Sequence, residues 1–143
     1  MTSNVKNATR DIKIGDVYMV FFDGEGSEQR GYRPGLVIQN NVGNKFSPNV
    51  IILPMTSVIK KQSQPTHVTI YASSSGLEKD SVVLCENPKC LSKAKIDKYV
   101  TTLSDECMGL VAEAYILSTS IISFLPIHSV QSVWQRANAL NAV

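Results

Sequence analysis

The chain has 143 residues, with 14 basic and 12 acidic side chains for a formal net charge of +2, and 43% of its residues are hydrophobic. That length is about one domain's worth and that apolar fraction suffices for a core without staples. So small a charge bias excludes any argument for nucleic acid from bulk charge, so a basic site has to be local.

Residues 1–13 are polar and read as a flexible N-terminal extension (1–12) with no apolar segment of the kind a secretory signal carries. Val17, Met19 and Phe21 alternate with Tyr18, Val20 and Phe22, so both faces of this first strand are apolar and it is expected to be central and buried. The stretch "GSEQRGYRP", residues 26–34, follows as a loop. It carries more charged and amide chemistry than a hairpin turn needs. Leu36–Gln39 form the predicted second strand, "NNVGNKFSPN" reads as turn, and "VIILP" is a third strand closed by Pro54, which has no N–H for a ladder. "HVTIYA" alternates with Val68 and Ile70 on one face, "DSVVLCE" follows, and weaker strands lie around Cys90–Ser92 and Ile96–Thr101. Short strands without helices between them predict a curled sheet or small barrel rather than a βαβ fold.

Helix is predicted only after that. Ser104 is an N-cap, Asp105 and Glu106 suit the first turn, and Met108, Val111, Ala112, Tyr115 and Thr119 recur at helical spacing as a core-facing stripe. After Pro126, Val130, Val133, Trp134, Ala137 and Leu140 mark one face of another helix, expected to pack on the barrel. The domain organisation read from this is a barrel domain over 13–124 and a helical C-terminal extension over 125–143.

Cys85, Cys90 and Cys107 are an odd number of cysteines. They argue against a disulfide framework and for a reducing, cytoplasmic setting. No apolar run approaches the ~20 residues of a membrane-spanning helix. There is no GxGxxG, no phosphate-binding loop with Lys-Ser/Thr, no HExxH, no CxxC and no G-x-S-x-G; His67 and His128 lie far apart. Metal-free, cofactor-free chemistry is what remains. Arg33, extended by the following Pro34, can present a guanidinium to a phosphate, and Thr56 can present a hydroxyl beyond the Pro54 break. Lys60, Lys61, Lys89, Lys93, Lys95 and Lys98 supply local positive charge. Each of these residues taken alone also fits a solvated or strand-end role.

"IKIGDVY", "GSEQRGYRPGLVIQNNVGNKFSP", "VIILPMTS", "PTHVTI" and "KDSVVLCE" stand in the order and spacing of the MazF/PemK toxins. The chain resembles that family from about Ile12 to Ile122. The resemblance implies a mainly β (α+β) fold, a small SH3-like β-barrel of the PemK/CcdB type with a C-terminal helix and short accessory helices. It implies a homodimeric, metal-independent endoribonuclease that cleaves single-stranded RNA through the ribose 2′-OH, and a cognate antitoxin as partner. No cofactor is implied. On this likeness the essential arginine and threonine fall on Arg33 and Thr56. Glu28 is a candidate proton acceptor, and Ser27 and Gln29 meet RNA, with Arg30 an added charge beside them. Asn40, Gly43 and Asn44 match a structural turn. Glu86, Asn87 and Lys89 lie in "ENPKC", which departs from the usual E-Q-I-R-T of an RNA-binding segment. Two alternatives stay open: a non-catalytic CcdB-like toxin that binds DNA gyrase, and a degenerate member that binds RNA or antitoxin without cutting.

Overall fold

The computed structural model describes residues 10–24, 31–57 and 64–143. Seven antiparallel strands are seen among them: β1 (Asp16–Phe22), β2 (Gly31–Val37), β3 (Asn49–Thr56), β4 (His67–Ile70), β5 (Ser81–Leu84), β6 (Lys89–Ser92) and β7 (Ile96–Thr102). They lie in the order β4-β5-β3-β2-β1-β7, with β6 also on β3. The fold is mainly β with α+β character. Among the described residues four α-helices accompany the strands: α1 (Asn41–Phe46), α2 (Ala72–Ser75), α3 (Asp105–Leu117) and α4 (Val130–Leu140). None of the described helices is long and apolar enough to cross a membrane.

The two apolar faces of β1 explain its central place. Val17 joins Leu36, Leu53, Met55, Val83 and Val111 in one buried cluster. Tyr18, Val20 and Phe22 join Val37, Val50, Ile52 and Ile96 in a second, on the other face. β3 bends the sheet because its outer edge is shared: Asn49–Ile52 pair with β6, whereas Met55 and Thr56 pair with Val83 and Val82 of β5. At the entrance to β1, buried Asp16 accepts hydrogen bonds from the Lys13 N–H at 3.0 Å and the Thr102 hydroxyl at 2.7 Å, tying the N-terminal approach to β7.

Several elements differ from the sequence expectation. β2 begins at Gly31, not Leu36, so Arg33 and Pro34 sit within a strand. Proline and the residue before it both favour extended backbone, which makes that polar stretch compatible with pairing. β3 runs through Pro54 to Thr56. The "turn-rich" segment contains α1, capped by the Asn40 side chain accepting from the Gly43 N–H at 2.9 Å. The structural reading of Asn44 agrees with its burial: its Nδ2 donates to the Gln39 carbonyl at 2.8 Å and to Asn41 Oδ1 at 3.1 Å.

Ser104 caps α3 through the Cys107 N–H. The buried stripe of α3, however, is Val111 and Ala114, with Cys107 and Met108 partly buried, while Ala112, Tyr115 and Thr119 are exposed. Spacings of i, i+3, i+4 and i+7 fit both sets, and contact with the first cluster selects this one. α4 buries none of its residues. Its expected packing face is exposed instead, Trp134 by 66%. The segment is held at its far end, where Asn41 donates from its N–H and Nδ2 to Asn141 and Lys13 Nζ donates to the Val143 main-chain oxygen.

Gly35 marks the tightest approach in the sheet: a Cβ there would lie 2.5 Å from Ile52 Cγ2 and 3.1 Å from Val20 Cγ2. Gly35→Ala is therefore expected to destabilise the protein by about 1–3 kcal/mol, the usual cost of overpacking a filled core. Urea denaturation checks this, and an unchanged midpoint would show that the sheet yields there.

Candidate active site

Arg33 comes from the outer half of β2 and Thr56 from the last residue of β3. The β2–β3 register pairs Gly35 with Pro54 and Leu36 with Leu53. Continued by two residues in the same antiparallel sense, it sets Arg33 across from Thr56. Both are half-buried and both line one cavity of about 720 Å³. Tyr32, Ser57, Lys98 and Tyr99 share its wall. Glu78 and Lys79, from the connection before β5, also line it. A guanidinium, two ammonium groups and the hydroxyl-bearing Tyr32, Thr56, Ser57, Ser81 and Tyr99 line one space, with one carboxylate among them. This arrangement can hold a phosphodiester and stabilise added charge on its oxygens.

Tyr32 is the best-fixed side chain of the wall. Its hydroxyl donates to Asp97 Oδ2 at 2.6 Å, and Asp97 is buried. Partial burial, followed by the bond and the negative charge of Asp97, pushes the phenol up to about 12. It stays protonated across the physiological range as a positioned ring and donor. Phe21, its register partner on β1, packs against it with ring centroids 4.8 Å apart. Tyr99 is differently engaged: the Arg10 guanidinium sits 3.6 Å from its ring centroid.

The other sequence candidates divide. Ser27, Glu28, Gln29, Arg30, Lys60 and Lys61 lie outside the described residues. Glu86, Asn87 and Lys89 do not line this cavity. Glu86 Oε2 instead accepts from His67 Nε2 at 2.8 Å, and its Oε1 is buried without a partner among the described residues. Asn87 turns the chain by donating its N–H to the Leu84 carbonyl at 3.1 Å, and Lys89 starts β6 opposite Ile52. Of the lysines near it in sequence, Lys93 donates to the Asn44 carbonyl at 2.6 Å and Lys95 pairs with Asp23 at 2.6 Å, while Lys98 reaches the cavity. Among the described residues no three His, Cys, Asp or Glu side chains gather as a metal site would require. Tyr32, Glu78, Lys79 and Tyr99 were not singled out from sequence. For Tyr32 a signal existed, an aromatic residue beside an arginine where a turn would need neither.

Comparison with known proteins identifies the family and the fold. The sequence profile of the family described as "PemK-like, MazF-like toxin of type II toxin-antitoxin system" matches residues 13–118. Endoribonuclease EndoA of Bacillus subtilis is 45% identical over 114 residues, spanning 79% of this chain and 98% of that protein. Among solved structures, a mycobacterial endoribonuclease in complex with its cognate antitoxin superposes with a TM-score of 0.62 at 23% identity, covering 80% of this chain and 97% of its own. MazF from Deinococcus radiodurans gives a TM-score of 0.62 at 23% identity, covering 73% and 92%. At such identities these two show a shared fold.

Burial first, and then the hydrogen bond and charge of Asp97, raise the Tyr32 phenol, so Asp97→Asn is expected to lower its titration from about 12 toward the ordinary value of 10 without reaching it. The raised value means that this phenol supports the fold fully below pH ~10 and loses that support as pH rises through ~12. An NMR titration of the Tyr32 ring in both proteins checks this, and coincident curves would overturn it.

Proposed function

The chain belongs to the PemK-like, MazF-like toxin family of type II toxin–antitoxin systems, and from that premise we propose that it is a metal-independent, sequence-specific endoribonuclease that cuts single-stranded RNA in the Arg33–Thr56 cavity. The observation that supports this reading is the convergence of these two residues, 23 positions apart in sequence, on one cavity.

In the proposed reaction the ribose 2′-oxygen attacks the adjacent phosphorus as its proton passes to a base. The phosphorus–5′-oxygen bond then breaks, and the 5′-oxygen leaves with a proton. The products are a 2′,3′-cyclic phosphate, or the 3′-phosphate it opens to, and a 5′-OH. Charge gathers on the non-bridging oxygens, where the Arg33 guanidinium is suited to receive it and the Thr56 hydroxyl donates a further hydrogen bond. Lys98 and Lys79 add positive potential along the same wall. Glu28 is the proposed proton acceptor, a role that fits a carboxylate on the chain leading into β2. The attacking geometry requires an extended, unstacked nucleotide, which single strands supply. The same family likeness supports a cytoplasmic protein, a homodimer and a cognate antitoxin that covers this site.

Purified protein is incubated with long single-stranded RNA in excess EDTA and the cut ends are mapped. Discrete cuts bearing 5′-OH are expected. Arg33→Ala and Thr56→Ala are each expected to lower the cleavage rate by about 10²–10³-fold, the scale of removing one donor from a charge-stabilising site. A 2′-deoxy substitution at the scissile nucleotide is expected to abolish the cut. Intact RNA alongside inhibited DNA gyrase would overturn the reading in favour of a gyrase-binding toxin.

A further inference from the structure

Phe21 and Tyr32 oppose each other in the β1–β2 ladder, their rings tilted by 44°, and each is about half exposed, at 49% and 43%. An aromatic pair that buries neither ring contributes little to a core. This pair is nevertheless rigid, because Tyr32 is fixed through its hydroxyl to buried Asp97 on β7. Rigid, exposed ring faces beside a cationic wall are what an unstacked base requires: the ring replaces the lost stacking and the cations hold the flanking phosphates. Tyr32 lines the Arg33–Thr56 cavity itself. Tyr99 lines it too, but Arg10 lies over its ring at 3.6 Å and Tyr18 meets it edge-on at 5.7 Å.

We propose that the Phe21–Tyr32 pair is a nucleobase-stacking subsite that receives a base of the single-stranded RNA next to the scissile phosphate. The proposal rests on the reading of the cavity as an RNA-cleavage site and adds to it a surface that holds the strand open. Because every base has a π-face, the pair positions a nucleotide without reading its hydrogen-bonding edge. Sequence preference then falls to other residues, and purines, with the larger face, are favoured on the pair itself.

The test uses the full chain and an oligoribonucleotide spanning a mapped cleavage site, made uncleavable by 2′-deoxy substitution at the scissile nucleotide. The fluorescent base 2-aminopurine is placed on either side of that nucleotide in turn. Binding to the unaltered protein is expected to quench the probe at one of the two positions. Phe21→Leu, which keeps apolar bulk but no ring, is expected to lose that quenching and to weaken binding about tenfold. On a cleavable substrate it should raise KM with little change in kcat. Phe21→Tyr is expected to restore both quenching and affinity, which a merely structural role for the phenyl group would not require. Unchanged quenching and affinity in Phe21→Leu, with normal cleavage by the unaltered protein, would overturn the subsite and leave the cleavage reading standing. Failure of the unaltered protein to bind or cut RNA would overturn both.

Discussion

The alignment of β2 against β3 is the constraint on which the rest of the molecule depends. Its pairs run from Val37–Ile52 to Gly35–Pro54, with the side chain of Ile52 occupying space that any Cβ at position 35 would need. In an antiparallel ladder a slip of one residue would turn every side chain to the opposite face. Here it would carry Leu36 and Leu53 out of one core cluster and Val37 and Ile52 out of the other. The two clusters therefore fix the register, and the register fixes where Arg33 and Thr56 stand. Neither polar residue has to contribute to stability in order to be held in place.

This division of labour explains what was legible in the sequence. The β1 strand, with apolar residues on both faces, had one consistent placement, between neighbours and between two clusters. The Ser104 cap of α3 follows from local chemistry and needs no tertiary information. Arg33 and Thr56 are marked by the prolines near them and by a family likeness, and the strand register adds a physical reason that they line one cavity. The outer half of β2 looks like loop in the sequence because its side chains are polar, whereas its pairing is set by backbone preference and by β1 opposite. α1 was hidden because an asparagine-rich start looks like a turn until a cap and a buried Asn44 give it a partner. In α3 two stripes were equally periodic, and only the position of the first cluster chose between them. Tyr32 was missed because its role depends on Asp97, 65 residues away, which spacing does not reveal.

Charge follows the same logic. A net charge of +2 gives no field that would mark the whole molecule for RNA. Several cations are committed locally: Lys95 to Asp23, Lys93 to the Asn44 carbonyl, and Arg10 to Asp16 and the face of Tyr99. Lys98 and Lys79 line the cavity with Arg33, opposed there by Glu78. The positive charge relevant to a phosphate is thus concentrated by the fold rather than by composition, and the partial enclosure of the cavity makes each such charge count for more than it would on an open surface.

The C-terminal segment obeys a different rule. Residues 119–143 lie beyond the matched family region, and α4 within them buries no side chain. Its described attachments are hydrogen bonds from Asn41 to Asn141 and from Lys13 to Val143. Hydrogen bonds of this kind contribute about 1 kcal/mol each, net of the water they replace. Burying one Leu or Val side chain contributes about 1.5–3 kcal/mol. A helix held at one end by polar contacts, with Trp134, Val133 and Leu140 turned outward, therefore has little apolar burial to hold it to the fold. Asn41 also accepts the Ile14 N–H at 2.8 Å, immediately ahead of β1. One side chain, Asn41, thus joins the C-terminal residues to the chain entering β1.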